Sequence, residues 1–498
     1  MLPRLAPFDF ALLVGAALAA FLMLGPALTI PLHIPINYNE GWDAGFATRA
    51  VRPDAGPLYP GPGSLVFDNY PPLGFLIVGA AGRFVLGDMI VAGRVLALLA
   101  LLASAALLGL CVRQLGGSVR AAWAAALLLP LFIGIYFSGY VAMDDPQWLA
   151  HAFMLAGLAM LLRHHALRRL RQRTIPSPQI VLAAALMVAG GFVKHNLVAL
   201  PLATTLWLAW LNPRAALAWM LAAAACIALA LAAMQLCYGH AAFVDIFQHR
   251  RIIQPHLWTR AIDSLAPLAP TGIVIALRLR RRSAGDGAVL AALFILVALA
   301  TGIAGRMGEG IYYNAHFEAV IALCLGLGLA LEPAIAAARP AWPPARTVTL
   351  LVFAALPILG ALPWHLPVVW RNIVERRARE AAWQPIIARL RAADGQTGCL
   401  MASLCYWAGK PIDIDMFNLT QYALTGGSLA GFKAMVARGG FVLFQNDSRS
   451  FTHADAVQKL GFDPVMAPFA GRYRIVLTGP KGTVLLAPTP PAIRPVSQ

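Results

Sequence analysis

The residues best placed to do chemistry begin with Ile36-Asn37-Tyr38-Asn39-Glu40-Gly41-Trp42-Asp43. A Pro/Gly-rich polar run follows, then Asp68-Asn69-Tyr70-Pro71-Pro72-Leu73-Gly74-Phe75. Glu40 and Asp43 stand one helical step apart, so a helix starting here would point both carboxylates the same way. Trp42 and Phe46 at i,i+4, with Arg49 and Arg52 polar, predict a short helix lying in a membrane interface. A carboxylate half-buried beside aromatics is tuned toward general-base work; loop solvation is the plainer account. Other charged residues recur at the ends of apolar stretches. Asp144 and Asp145 precede Pro146, where helix capping explains them as well as catalysis does. Lys194 lies between two apolar stretches, placed either to snorkel or to meet an anionic group at the membrane surface. His249, Arg250 and Arg251 offer charge to a phosphate, or simply solvate a loop. Asn314, His316 and Glu318 open a further apolar run, and a carboxylate one turn inside such a run is costly without a partner.

The elements that must bring these residues together are apolar spans. Hydrophobic residues make up 59% of the 498 and charged ones 12%, against about 25% charged in an ordinary soluble chain. Mean hydropathy is +0.69. The sequence therefore reads as a polytopic α-helical membrane protein. A net charge of +17 would suit nucleic acid, but most basic residues sit in short loops between apolar runs, as topology signals do. No nucleic-acid partner is expected.

The run from Phe10 to Ile30 exceeds the roughly 7–15 residues of a signal-peptide core and is expected to be an uncleaved first span. Residues 71–86, broken by Gly74, Gly79, Gly82 and Arg83, read as an interfacial or re-entrant helix. Further spans are expected at 89–112, 121–138, 148–162, 179–193, 196–211, 215–237, 264–279, 288–304, 317–331 and 348–364, with a polar loop from Tyr238 to Arg260. That makes about 11 transmembrane helices; basic clusters at 163–173 and 278–282 mark the cytoplasmic side. The N-terminus is then inside, the C-terminus outside, and every acidic loop on the outer face.

Residues 1–369 are expected to form a transmembrane domain that includes a first outer loop at 31–88. Residues 370–498 read as a C-terminal extracytoplasmic α/β domain, of ordinary single-domain size. Within it, Asn372–Ala393 reads as a charged amphipathic helix, and Leu429–Ala437 and His453–Leu460 as further helices. Cys399–Leu404, Phe441–Gln445, Arg474–Leu477 and Val484–Ala487 read as strands. The six cysteines show no CxxC pair and no Cys/His metal spacing. Cys111, Cys226, Cys237 and Cys324 belong in or near spans as packing residues. Cys399 and Cys405 flank one predicted strand, and a disulfide between them is not expected. The cofactor requirement is left open: the carboxylates could bind a divalent metal, but no ligand spacing demands one.

Asn39-Glu40-Gly41-Trp42-Asp43 after the first span, then Leu58-Tyr59-Pro60 and Asn69-Tyr70-Pro71-Pro72-Leu73, resembles the first outer loop of GT-C-type membrane glycosyltransferases. The likeness is to the protein-mannosyltransferase and aminoarabinose-transferase clan. Asp145 before an apolar span resembles that clan's second-loop aspartate. Phe192-Val193-Lys194-His195 through Pro201 resembles its lysine-containing turn, and Asn314 with Glu318 its later Asn-x-x-x-Glu stretch. Each motif is short, and the specificity lies in their order over residues 1–335.

This resemblance implies a GT-C-like fold and transfer of a sugar from a polyprenyl-phosphate-linked donor to a lipid, glycan or protein acceptor. The reaction would take place at the outer face of the inner (plasma) membrane, among membrane lipids. It implies Glu40 or Asp43 as base, and Lys194 with Arg250 or Arg251 at the donor phosphate. Asp145, Tyr70, Asn314, His316 and Glu318 are its substrate-binding candidates. Many members carry Asp-Glu where this chain has Asn39-Glu40; Asn is no base, so the role moves to Glu40, with Asp43 second. Tyr70 stands where some relatives have Lys. A transporter or lipid flippase would also line a pathway with charges such as Lys194 and Glu318, yet no paired, repeat-related broken helices are visible. A catalytically inactive relative stays open through Asn39.

Overall fold

Apolar runs bounded by capping residues dictate most of the architecture. The computed structural model describes residues 7–163, 170, 177–279, 285–308, 311–337, 345–447 and 463–490. In chain order its helices begin with α1 (Pro7–Thr29), α2 (Tyr38–Val51), α3 (Pro72–Ala81), α4 (Met89–Gln114), α5 (Val119–Tyr136), α6 (Gln147–Leu161) and α7 (Ser177–Val193). Then come α8 (Ala199–Leu211), α9 (Pro213–Phe247), α10 (Trp258–Asp263), α11 (Ala269–Leu279), α12 (Asp286–Arg306), α13 (Phe317–Ala337) and α14 (Ala345–Val374). Asp88, Ser118 and Asn212 cap α4, α5 and α9, each accepting from the backbone N–H three residues on, which satisfies a donor the helix leaves free.

Seven of these helices, α1, α4, α5, α9, α12, α13 and α14, are long and apolar enough to cross a membrane, and the segment over α10 and α11, bent by 41°, makes an eighth if it is one broken span. The chain is a multi-pass membrane protein. The expected eleven crossings would require α6, α7 and α8 as well, of 15, 17 and 13 residues, each shorter than the roughly 20 a span needs. The expected basic markers at 164–169, 171–173 and 280–282 lie outside the described residues.

Two helices converge closely enough to build the site. A Cβ at Gly157 would lie 2.8 Å from the Ala183 carbonyl oxygen, and one at Gly190 would lie 2.9 Å from that of Ala150. Small residues thus let α6 and α7 cross almost backbone to backbone. Because the two run antiparallel, the start of α6 meets the end of α7.

Two expectations for the loops are corrected. Helix α2 is not laid open at an interface: Trp42 and Phe46 are buried, and a Cβ at Gly41 would sit 1.9 Å from the Ser403 backbone nitrogen. C-terminal residues cover it. The expected polar loop from Tyr238 begins instead as helix, because Gly239 takes φ 67° and lets α9 bend and continue to Phe247. This extension places Asp245 under the first loop, where it accepts from Gly61 N–H at 3.1 Å.

The C-terminal region leaves the bundle without a linker. The expected helix at 372–393 is divided: its first residues complete α14, and α15 (Arg376–Arg391) follows after Glu375. Strands β1 (Thr397–Cys399), β2 (Leu443–Asp447), β3 (Tyr473–Thr478) and β4 (Thr483–Pro488) form one sheet in the order β1-β2-β4-β3. β1 and β2 are parallel and the remaining pairs antiparallel. Helices α16 (Ala402–Trp407), α17 (Met416–Leu424) and α18 (Ala430–Ala437) pack around it. The expected strand Cys399–Leu404 is corrected, since β1 stops at Cys399 and the chain turns into α16. An extended strand would hold Cys399 and Cys405 about 20 Å apart. The helical turn reduces the Cα separation to 5.9 Å, and the two form a disulfide. The expected helix His453–Leu460 lies outside the described residues.

Candidate active site

Arg94, in the second turn of apolar α4, is fully buried, and an arginine there needs every donor matched. Its Nε and Nη2 donate to Glu40 Oε1 at 2.7 Å and Oε2 at 2.9 Å. Nη1 donates to the carbonyls of Thr29, Ile30 and Leu32, and Nη2 to that of Ile34. The connection from α1 to α2 is wrapped around this guanidinium. Glu40 also accepts from Ile36 N–H at 3.0 Å and Asp144 N–H at 3.4 Å. Each of its oxygens therefore has two donors, filling the roughly four acceptor positions of a carboxylate.

The second pair is Lys194 with Asp145, Nζ to Oδ1 at 2.9 Å, both buried. Asp145 Oδ1 also accepts from Gln147 N–H at 2.8 Å, one of the free donors at the start of α6. Lys194 Nζ lies 5.1 Å from the Tyr70 ring centroid. Tyr70 is held in turn by its N–H to Asp68 Oδ1 at 3.0 Å and by its carbonyl, which accepts from Tyr59 Oη at 2.9 Å.

Asp43 is unlike either pair. It is 4% exposed, and among the described residues no cation is bonded to it. Its Oδ1 has no hydrogen-bond partner among them, as is true of Oδ2 of Asp144 and of Asp145. Burial pushes the Asp43 carboxyl well above the ordinary range, and the charges of Asp144 and Asp145 add to the rise. Burial and then Glu40 raise Asp144 likewise. Four acids thus share this neighbourhood with two cations.

Asn39, at i,i+4 from Asp43 and so on the same face of α2, lines a polar cavity of about 150 Å³ together with Trp42, Tyr70, Gln147, Arg251 and Asn314. Phe417 and Asn418 of α17 supply its C-terminal wall. Arg251 stands 5.5 Å from the Phe417 ring centroid, whereas its neighbour Arg250 is exposed and does not line the cavity. Glu318 reaches the lining but is engaged: its oxygens accept from Leu200 N–H at 2.9 Å and Ala199 N–H at 3.2 Å, capping α8 from another helix. His316 is fully buried, bonded to Ser264 Oγ at 2.8 Å, and does not line the cavity. A second, apolar cavity of about 670 Å³, lined by residues such as Val188, Phe192, Val198, Trp219 and Met234, shares Leu197 with the first. Among the described residues no three His, Cys, Asp or Glu side chains converge as a metal would require.

No family model and no curated protein matches this chain. Among solved structures, ArnT from Cupriavidus metallidurans in the apo state superposes over 96% of this chain and 97% of its own, with TM-score 0.59 and 14% identity. The archaeal oligosaccharyltransferase AglB from Archaeoglobus fulgidus, in complex with an inhibitory peptide and a dolichol-phosphate, covers 98% of this chain and 75% of its own, with TM-score 0.50 and 12% identity. The chain has the GT-C fold.

Within this GT-C fold, sequence reasoning overlooked Arg94, Phe417 and Asn418. Arg94 left a readable signal, because an arginine inside an apolar span demands an acidic or carbonyl partner. The α17 residues left none, since nothing local marks a distant helix as part of a cavity wall.

Proposed function

We propose that this protein is a membrane glycosyltransferase moving a sugar from a polyprenyl-phosphate donor to the hydroxyl of a lipid, glycan or protein acceptor. The observation that carries this reading is the junction of two unlike cavities at Leu197. One is polar and holds Arg251, which has no carboxylate partner among the described residues; the other is large and apolar. A polyprenyl-phosphate sugar has the same two-part chemistry. The isoprenoid lies along Phe192, Val198 and Met234, the phosphate faces Arg251, and the sugar occupies the polar cavity. The dolichol-phosphate in the AglB complex adds support by likeness of fold.

In this reading Asp43, rather than Glu40, is the base. Glu40 has no acceptor position left, and its task is to fix α2 on Arg94. Asp43, one turn from Asn39 and outside the cavity lining, takes the acceptor's proton through a water as the acceptor oxygen attacks the anomeric carbon. The bond from that carbon to the phosphate oxygen breaks, and polyprenyl phosphate leaves with the electron pair, its charge met by Arg251. Lys194, already committed to Asp145, holds Tyr70 and the start of α6 in place. The site faces outward, with the C-terminal region outside. The Cys399–Cys405 disulfide supports this orientation, because such bonds persist in oxidising compartments.

The test is transfer itself. Purified protein, with and without Asp43→Asn, is incubated with a panel of polyprenyl-phosphate sugars and acceptors. Transfer by the wild type and its loss in the variant are expected; failure of the wild type across a broad panel sinks the reading. A reporter fused after Gln498 should register outside, and an inside signal would remove the site from the outer face.

A further inference from the structure

The polar cavity has a chemical bias that bears on which sugar it takes. Six amide side chains line it: Asn39, Asn69, Gln147, Asn196, Asn314 and Asn418. An amide carries both donors and acceptors, which is what a ring of hydroxyls requires, and of the six Gln147 and Asn314 already bond each other. The only carboxylate in the described lining is Glu318, and both of its oxygens are bonded to the backbone N–H groups that start α8. The unpaired charge in the lining is positive instead: Arg251 lines the cavity, while Lys194, against the Tyr70 ring, is neutralised by Asp145. An ammonium group is donor-only and seeks a carboxylate. Here the lining would offer it the Arg251 guanidinium and no free carboxylate. On the C-terminal side, the Tyr38 and Phe417 rings stand 5.5 Å apart at 41°, with Asn418 beside them. Asn418 is itself fixed, donating through Nδ2 to Asp415 Oδ2 at 2.5 Å.

We propose that the transferred sugar is a neutral, polyhydroxylated ring without an ammonium group, and that Phe417 and Asn418 of α17 determine that preference. The proposal rests on the glycosyltransferase reading above. It gives the C-terminal region a task in recognition: α17 closes the cavity that the membrane helices leave open.

The experiment reads binding by thermal unfolding of the full-length protein in lipid nanodiscs. Three probes are compared: bare decaprenyl phosphate, decaprenyl-phosphate-linked neutral pentose or hexose, and a decaprenyl-phosphate-linked amino-pentose. Bare decaprenyl phosphate should stabilise the protein. A neutral sugar should tighten binding about tenfold over it, roughly 1.4 kcal/mol, and the amino sugar should not. Phe417→Ala and Asn418→Ala should lose that gain while still binding bare decaprenyl phosphate, which also shows that they fold. Asn69→Asp should shift preference toward the amino sugar. Tighter binding of the amino sugar by the wild type, or an unchanged gain in both α17 variants, overturns the proposal. Failure of bare decaprenyl phosphate to bind overturns the donor reading itself, and this inference with it.

Discussion

Glu40 and Asp43 lie one turn apart on α2, both almost wholly buried, yet their surroundings are opposite. Glu40 meets a guanidinium and two backbone N–H groups, so its charge is matched at every acceptor position. Asp43 meets two further acids, with Lys194 only partly offsetting them, and one of its oxygens has no partner among the described residues. Burial alone therefore assigns no role. A buried acid bonded to a cation anchors the fold, whereas a buried acid that no cation bonds keeps a high proton affinity that a base can use. The largest effect expected from this contrast is at Asp43. Asp43→Asn should lower kcat by about 10²–10⁴-fold while leaving thermal stability unchanged or raised, since a buried and poorly compensated charge is removed. A greater loss of kcat in Glu40→Gln, at unchanged melting temperature, would exchange the two roles.

The pH dependence sharpens the same contrast. The folded pKa of Asp43 lies above the value of about 3.9 in an unfolded chain. Between those values the folded protein binds more protons than the unfolded one, so stability falls as pH rises from about 4 through the folded pKa. Asp415, pushed up to about 6 mainly by burial, adds to that fall between about pH 4 and 6. Activity runs the other way, because the base works only when ionised: kcat/KM should climb with pH as Asp43 loses its proton. The residual activity of Asp43→Asn should lack that acid limb, and a limb that survives would assign it to another group.

The anchoring half of the comparison is broken at Arg94. Arg94→Leu leaves Glu40 charged, buried and unmatched, a change that typically costs about 3–5 kcal/mol. It also frees four carbonyls in the connection from α1 to α2. Unfolding followed by intrinsic fluorescence should show the loss, and Glu40→Leu in the same chain should recover part of it. Full recovery would mean that the carbonyl bonds contribute little; no loss in the single variant would refute the anchor.

What the sequence made legible follows from the range of each interaction. Span positions were readable because hydropathy is a property of consecutive residues, and the long spans fall where the apolar runs lie. Lys194 and Asp145 were each legible as charges at span ends. Their pairing, across 49 positions, depended on how closely α6 and α7 cross. The spacing of Glu40 and Asp43 fixed a shared direction on α2, but not that an arginine from α4 would take one of them. The strand misread at Cys399–Leu404 hid the disulfide for the same reason, since a short apolar run fits a strand or a helix equally well. Phe417 and Asn418 join the cavity through a fold-back of the whole C-terminal region, which no local pattern encodes.

The smallest effect separates two neighbours that the sequence could not rank. Arg251 lines the polar cavity beside Phe417, and Arg250 is exposed outside it. A charge-assisted hydrogen bond to a buried group is worth about 1.5–3 kcal/mol, so Arg251→Ala should weaken binding of bare decaprenyl phosphate by about 10–100-fold. Arg250→Ala should change it by no more than about twofold, and that change should vanish at high salt, because an exposed charge acts only through a screened field. Equal losses in the two variants would mean that the loop attracts the donor by its summed charge, and would return the phosphate site to the pair as a whole.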